Sequence, residues 1–264
     1  ENVFESGMVG MPCFAQALPV PNGEGLWRPR VYMMQEMDLV YSERVGGVWE
    51  EPVGLHPDLF LYGGEFAVAD ADQVDAAVQA AADYAPEWAA TPWEGRVALL
   101  RRAADALSGQ RYLLAATMAF EVGKDRLEGL AEVEESAAFL RYYCDEVERH
   151  QGFRTPMDRL SPDEVTLDVL LPYGVWAVVS PFNFPLALAA GPVAAALLTG
   201  NTVVLKPAGA AALSALQLAG ILEAAGLPPG ALQVVTGPGG TTGKALVDHP
   251  LVAGLRGPVR LADR

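Results

Sequence analysis

The chain has 264 residues, of which 51% are apolar and 19% charged, and 33 acidic side chains against 18 basic ones leave a net charge of −15. That much apolar surface can bury a core, which excludes a disordered tail, and the length suits one large domain or two small ones. The negative balance argues against nucleic acid and anionic membranes as partners, because both select basic patches and no cluster of cations occurs along the chain.

Two cysteines, Cys13 and Cys144, and three histidines, His56, His150 and His249, are scattered. They form neither a disulfide framework nor a metal-ligand pattern, so no metal site is expected. Sparse cysteine and the absence of a basic-then-apolar leader at Glu1 predict a cytoplasmic protein. From Val169 to Leu205 no residue is charged, yet Pro172, Pro181, Asn183, Pro185 and Pro192 break the run. A membrane helix needs about 20 continuous apolar residues, so the run is read as a buried strand–loop–helix–strand passage.

Residues 1–64 are rich in Gly and Pro, with short apolar pieces such as Val31–Met34 and Leu59–Tyr62 and no helical period. Strands and loops, or a stretch that never packs properly, are the two expectations there. Asp70 or Asp72 then caps a helix whose face carries Val74, Ala77, Val78 and Ala81, and Pro86 marks its end. Thr91-Pro92-Trp93-Glu94 reads as a capping box with proline at the first helical position. The helix it opens buries Val97, Leu100, Ala104 and Leu107 and ends near Gly109. Another spans Arg111 to Val122 and stops at Gly123. A longer one, from about Asp125 to His150, carries Leu127, Leu130, Val133, Ala137 and Leu140 inward, with Glu128, Glu132, Glu134 and Glu135 on a solvated face.

After Pro162 the period becomes two. Val165, Leu167 and Val169 alternate with Thr166 and Asp168, a half-exposed strand. Gly174–Val179 is apolar without alternation, as in a strand covered on both faces. Helix and strand then alternate: helix 185–198, strand 202–205, helix 212–225, strand 232–235, helix 241–247. The order predicts an α/β fold, a Rossmann-like open parallel sheet with flanking helices, preceded by a helical N-terminal segment.

Three strand ends carry groups with chemistry. Gly237-Pro238-Gly239-Gly240-Thr241-Thr242-Gly243-Lys244 follows a strand and opens a helix, where a phosphate can bind. It is not a Walker A loop, since Pro238 and Ala245 stand at the required Gly and Ser/Thr positions. It is not the dinucleotide fingerprint either, since Thr242 takes the place of the third glycine. A plain tight turn is the competing reading. Asn183, within Ser180-Pro181-Phe182-Asn183-Phe184-Pro185, either caps the next helix or aims its amide at a developing oxyanion. Lys206 ends a buried strand and is one of only three lysines, with Lys124 and Lys244. It is either a surface lysine or a donor to ribose and phosphate.

Taken together, Leu171-Pro172-Tyr173-Gly174, Ser180–Pro185, Thr199-Gly200-Asn201-Thr202 through Lys206-Pro207, Ala225-Gly226-Leu227-Pro228-Pro229-Gly230 and Val235-Thr236-Gly237 closely resemble the coenzyme-binding part of the aldehyde dehydrogenase superfamily. The resemblance covers about residues 66–255. Glu121-Val122-Gly123-Lys124 and the helix after it look most like the glutamate-semialdehyde (pyrroline-5-carboxylate) dehydrogenases. The resemblance implies an incomplete aldehyde dehydrogenase fold, with residues 1–64 poorly matched, a coenzyme-binding domain over 65–255, an oligomerisation strand near 163–171 and a non-family tail at 256–264. It implies NAD or NADP as cofactor, a small aldehyde as substrate and a homo-oligomer when complete. Asn183 matches the oxyanion-hole amide. Ser180, Pro181 and Phe182 match the segment lining the cofactor cleft, Lys206 the ribose-binding lysine, and Gly239 and Gly243 the turn beside adenine and pyrophosphate.

Departures bear on these expectations. Gly209 stands where the family usually has a glutamate gripping the ribose hydroxyls, which predicts a weaker hold on NAD and less repulsion of an NADP 2′-phosphate. The family's nucleophilic cysteine and general-base glutamate belong to a later domain, and neither Cys13 nor Cys144 occupies that motif. This chain alone is therefore expected to be inactive. A non-catalytic nucleotide-binding or oligomerisation module is the alternative.

Overall fold

The computed structural model describes residues 66–257 and, within residues 10–54, the backbone of six strands. It falls into two units, Glu1–Gly64 and Glu65–Arg264. In the first, β1 (Gly10–Pro12), β2 (Leu18–Pro21) and β4 (Asp38–Val45) each pair antiparallel with β3 (Trp27–Gln35), and β5 (Val48–Trp49) and β6 (Val53–Gly54) pair with β4. Val31–Met34 lies in β3, whereas Leu59–Tyr62 lies outside the described residues.

The second unit opens with four helices. Asp70 caps α1 (Ala71–Ala90): its carboxylate accepts from Gln73 N while the Gln73 side chain accepts from Asp70 N, a reciprocal capping box. Pro86 does not end α1, as its ring predicts. Packing overrides the lost hydrogen bond. Val74, Val78 and Ala81 are buried before it, and Trp88, buried after it, donates from Nε1 to Leu197 O at 3.1 Å.

The box expected at Thr91–Glu94 does not form either. Thr91 Oγ1 donates back to Glu87 O, closing α1, and α2 (Trp93–Gly109) begins without a side-chain cap. α3 (Arg111–Val122) stops at Gly123, whose φ of 68° needs no Cβ. Asp125 caps α4 (Arg126–Arg149) by accepting from Leu127 N and Glu128 N. Two assignments within α4 are reversed: Leu127 is 71% exposed, and Glu132 is buried.

A short antiparallel hairpin follows, β7 (Arg154–Pro156) with β8 (Leu167–Val169). The sheet then alternates with helices: β9 (Val175–Val179), α5 (Ala187–Leu198), β10 (Thr202–Lys206), α6 (Ala212–Ala224), β11 (Leu232–Val234), α7 (Lys244–Val247) and β12 (Val252–Arg256). All four strands are parallel, in the order β11–β10–β9–β12. The expected helix over 241–247 is shorter, because residues 239–243 form a single wide turn closed by Gly243 N on Pro238 O.

Both sheet faces are covered, as continuous apolar strands require. Val175, Ala177 and Val204 pack with Val74, Val78 and Ala81 of α1 and Leu246 of α7. Val178, Val203 and Leu205, on the other face, join a larger core with α5, α6 and, behind them, Leu100, Leu107 and Leu140 of α2 and α4. Each interior leucine or valine contributes about 1.5–3 kcal/mol by leaving water.

Candidate functional site

Chain order reverses at β9. β10 and β11 lie to one side of it and β12 to the other. In open parallel sheets ligands bind at such a reversal, outside the carboxyl ends of the strands. The residues singled out from sequence sit on that edge. Ser180 follows β9, and its N–H donates to Lys206 O at 3.1 Å, joining the ends of β9 and β10. Ser180 is buried, and its hydroxyl has no hydrogen-bond partner among the described residues.

Lys206 is not a surface lysine. It is 4% exposed, and its ammonium donates to Pro207 O at 2.9 Å. Burial pulls its pKa below the ordinary 10.5 because the charged form loses hydration. Its stem lies over Gly243: a Cβ built there would stand 3.3 Å from Lys206 Cε. Ser180, Lys206 and Gly243 thus converge, although they are far apart in sequence.

The glycine turn is anchored from beneath. Thr242 is buried and donates from Oγ1 to Ala69 O at 2.7 Å, while Ala69 N donates to Thr236 O at 2.8 Å. Gly237 has φ of 152°, and a Cβ there would come 2.1 Å from Thr242 Oγ1. Only glycine lets the chain turn this closely over Thr242. Gly239 and Gly240 are exposed, and a Cβ on either meets nothing within 4 Å, so their backbone forms an open ledge. The same holds for Gly209, just past Lys206.

Asn183 does not cap α5. That task falls to Glu132 of α4, whose Oε1 accepts from Leu186 N at 2.8 Å and Ala187 N at 3.0 Å. Asn183 is exposed and, with Pro181, lines a cleft of about 900 Å³ running along α5. Phe182 is 60% exposed. The side chain of Asn183 is therefore free to meet a ligand.

Sequence reasoning misses the carboxylates behind this edge. Glu132 Oε2 lies 3.0 Å from Lys124 Nζ without hydrogen-bond geometry, so charge rather than a directed bond offsets its burial. Lys124 Nζ also sits 3.8 Å from the centre of the Phe184 ring. Glu121, at the end of α3, accepts from Leu213 N at 2.6 Å and Ser214 N at 2.9 Å, capping α6. The hints in sequence are the scarcity of lysine and the Glu121-Val122-Gly123-Lys124 motif, neither of which assigns Glu121 or Glu132 a partner. Among the described residues no cluster of His, Cys, Asp and Glu could hold a metal, and no helix is long and apolar enough to cross a membrane.

Known proteins share this fold. 1-Pyrroline-5-carboxylate dehydrogenase of Anoxybacillus flavithermus is 35% identical over 228 residues, which cover 86% of this chain and 44% of that protein. 3-Sulfolactaldehyde dehydrogenase of Priestia megaterium is 37% identical over 215 residues, 79% of this chain and 45% of that protein. The crystal structure of 1-pyrroline-5-carboxylate dehydrogenase from Thermus with bound NAD superposes with a TM-score of 0.67 at 33% identity, over 72% of this chain and 36% of that one. The chain thus spans less than half the length of these relatives. The profile of the aldehyde dehydrogenase family matches residues 61–256, and the chain belongs to that family.

Proposed function

We propose that this chain forms the cofactor-binding side of an NAD- or NADP-dependent enzyme that oxidises an aldehyde to a carboxylate. The observation that carries the reading is the convergence of Ser180, Lys206 and Gly243 at the reversal of the sheet, beside the open ledge of Gly239 and Gly240. The ledge offers room for a phosphate-bearing ligand, and the Lys206 ammonium is the nearby cation for ribose hydroxyls or phosphate. When bound, the dinucleotide would accept hydride. Asn183 would donate its side-chain N–H to the oxyanion that develops at the carbonyl carbon, a contribution of about 3 kcal/mol to lowering such a barrier.

Glutamate semialdehyde is the proposed substrate, supported by the pyrroline-5-carboxylate dehydrogenases among the relatives. The chain alone is expected not to turn over. Cys144 is buried with its thiol pushed up to about 11, which keeps it protonated and unreactive at neutral pH.

Calorimetry with NAD and NADP tests the reading. Micromolar binding is expected, with Lys206→Ala weakening it about tenfold, or about 1.4 kcal/mol. Gly209→Glu, at a position with room for the side chain, should shift preference toward NAD. Absence of binding to either dinucleotide overturns the proposal.

The second reading, an oligomerisation module, rests on a separate observation. Val165, Leu170 and Leu171 around β8 are 83%, 66% and 76% exposed, leaving the hairpin with apolar side chains in water.

A further inference from the structure

We propose that Lys124 and Glu132 are positioning residues for Asn183, fixing the loop 180–186 so that the amide holds one direction. The inference rests on the proposed role of Asn183 as the oxyanion donor. The loop is tied at both ends. At its entry, Ser180 N is bound to Lys206 O. At its exit, the N–H groups of Leu186 and Ala187 are both held by Glu132 Oε1, a carboxylate 54 and 55 positions earlier in the chain.

Between the ties stand five residues, Pro181 to Pro185, and the two prolines have φ already fixed near −65°. Little freedom remains beyond Phe182, Asn183 and Phe184. Phe184 is then held by a third contact, the Lys124 ammonium 3.8 Å from its ring centre, and Lys124 is itself paired with Glu132 Oε2 at 3.0 Å. The side chains of the pair are only 7% and 0% exposed. Two charges so deeply buried are a poor way to gain stability alone, since well-packed apolar residues often serve as well or better. A serine or aspartate in the loop itself could cap α5 more simply. What the pair adds is orientation: one carboxylate ties the helix start and, through the lysine, the aromatic ring next to Asn183.

The decisive variant is the double substitution Lys124→Met with Glu132→Gln. It leaves no unpaired buried charge and keeps an oxygen acceptor for Leu186 and Ala187, so the fold should persist. Nuclear magnetic resonance of the ¹⁵N-labelled chain should show Leu186 amide exchange within about threefold of the wild type. The Asn183 backbone amide, held between the two ties in the wild type, should gain fast motion, read as a lower heteronuclear NOE. Because Ser180, Pro181 and Phe182 of the same loop are expected to line the cofactor cleft, calorimetry should show NAD binding weakened at least fivefold, while AMP, expected to use only the Lys206 and glycine-turn side, stays within twofold.

Two results overturn the proposal: an unchanged Asn183 NOE in the folded double variant, or a parallel loss of NAD and AMP binding. Should the wild-type chain bind no dinucleotide, the functional reading fails, and the Asn183 resonance still decides whether the pair positions it.

Discussion

Cys144 and Lys206 are both buried groups whose neutral forms the protein favours, and they illustrate how burial sorts reactivity. Cys144 is fully enclosed in α4, with Sγ 3.7 Å from Val97 O. Loss of hydration raises its pKa from 9.0 to about 11 and outweighs the opposing pull of Arg101. In the unfolded chain the same thiol ionises near 9. Between those values the unfolded state releases a proton that the folded state keeps, so stability falls as pH rises above about 9. The loss should reach about 2–3 kcal/mol by pH 11, be visible in urea unfolding, and vanish in Cys144→Ala. In a Cys13→Ser chain at pH 8, a thiol reagent should leave the folded protein unlabelled. Rapid labelling without unfolding would show the site to be open. Lys206 differs in lying at a strand end beside an open ledge, where a ligand can supply the partners that burial removed.

At the scale of elements, two helices flanking the sheet, α5 and α6, are held at both ends by the helical layer. α5 has Glu132 at its N-terminus and, at its C-terminus, Arg96 Nε on Leu198 O at 3.0 Å. α6 has Glu121 at its start and Arg102 Nη2 on Ala225 O at 2.8 Å at its end. Each charge has the sign that the helix dipole favours. Arg96 also reaches Thr91 O and Trp88 O at the end of α1, though burial lowers its pKa. Arg96→Met should cost about 3 kcal/mol in urea unfolding, because several buried carbonyls lose their donor at once. A loss under 1 kcal/mol would mean that water replaces the guanidinium.

The same elements show what sequence pattern can reach. The extents of α2, α3 and α4 follow from apolar spacing, Gly123 and Asp125, all local signals. The strand ends carrying Ser180 and Lys206 follow from unbroken apolar runs. Pro86 and Thr91 mislead because Trp88 is held by Leu197, 109 positions away. Glu132 sits among solvated glutamates and differs from them in facing the start of α5 and in pairing with buried Lys124. No local pattern distinguishes it, because the group that fixes it comes 54 residues later.

Viewed as a whole, the chain combines a net charge of −15 with exposed apolar side chains on and beside the β7–β8 hairpin. The charge repels like copies, whereas the hairpin offers a strand for pairing. Light scattering should find species of at least twice 28.0 kDa, with association strengthened at 0.5 M salt as the repulsion is screened. Val165→Lys with Leu167→Lys should return the monomer. A wild-type chain that stays monomeric at high salt would remove the oligomerisation reading.

The helix-end clamps also set an order in time. Arg96 waits for Leu198, 102 positions later, and Arg102 for Ala225, 123 later. A ribosome adding about 5–20 residues per second leaves these side chains without partners for roughly 5–25 seconds. Arg96 and Arg102 can stay hydrated over that interval, whereas Trp88, Leu100 and Leu107 of the same layer wait for α5 and α6 with apolar surface in water.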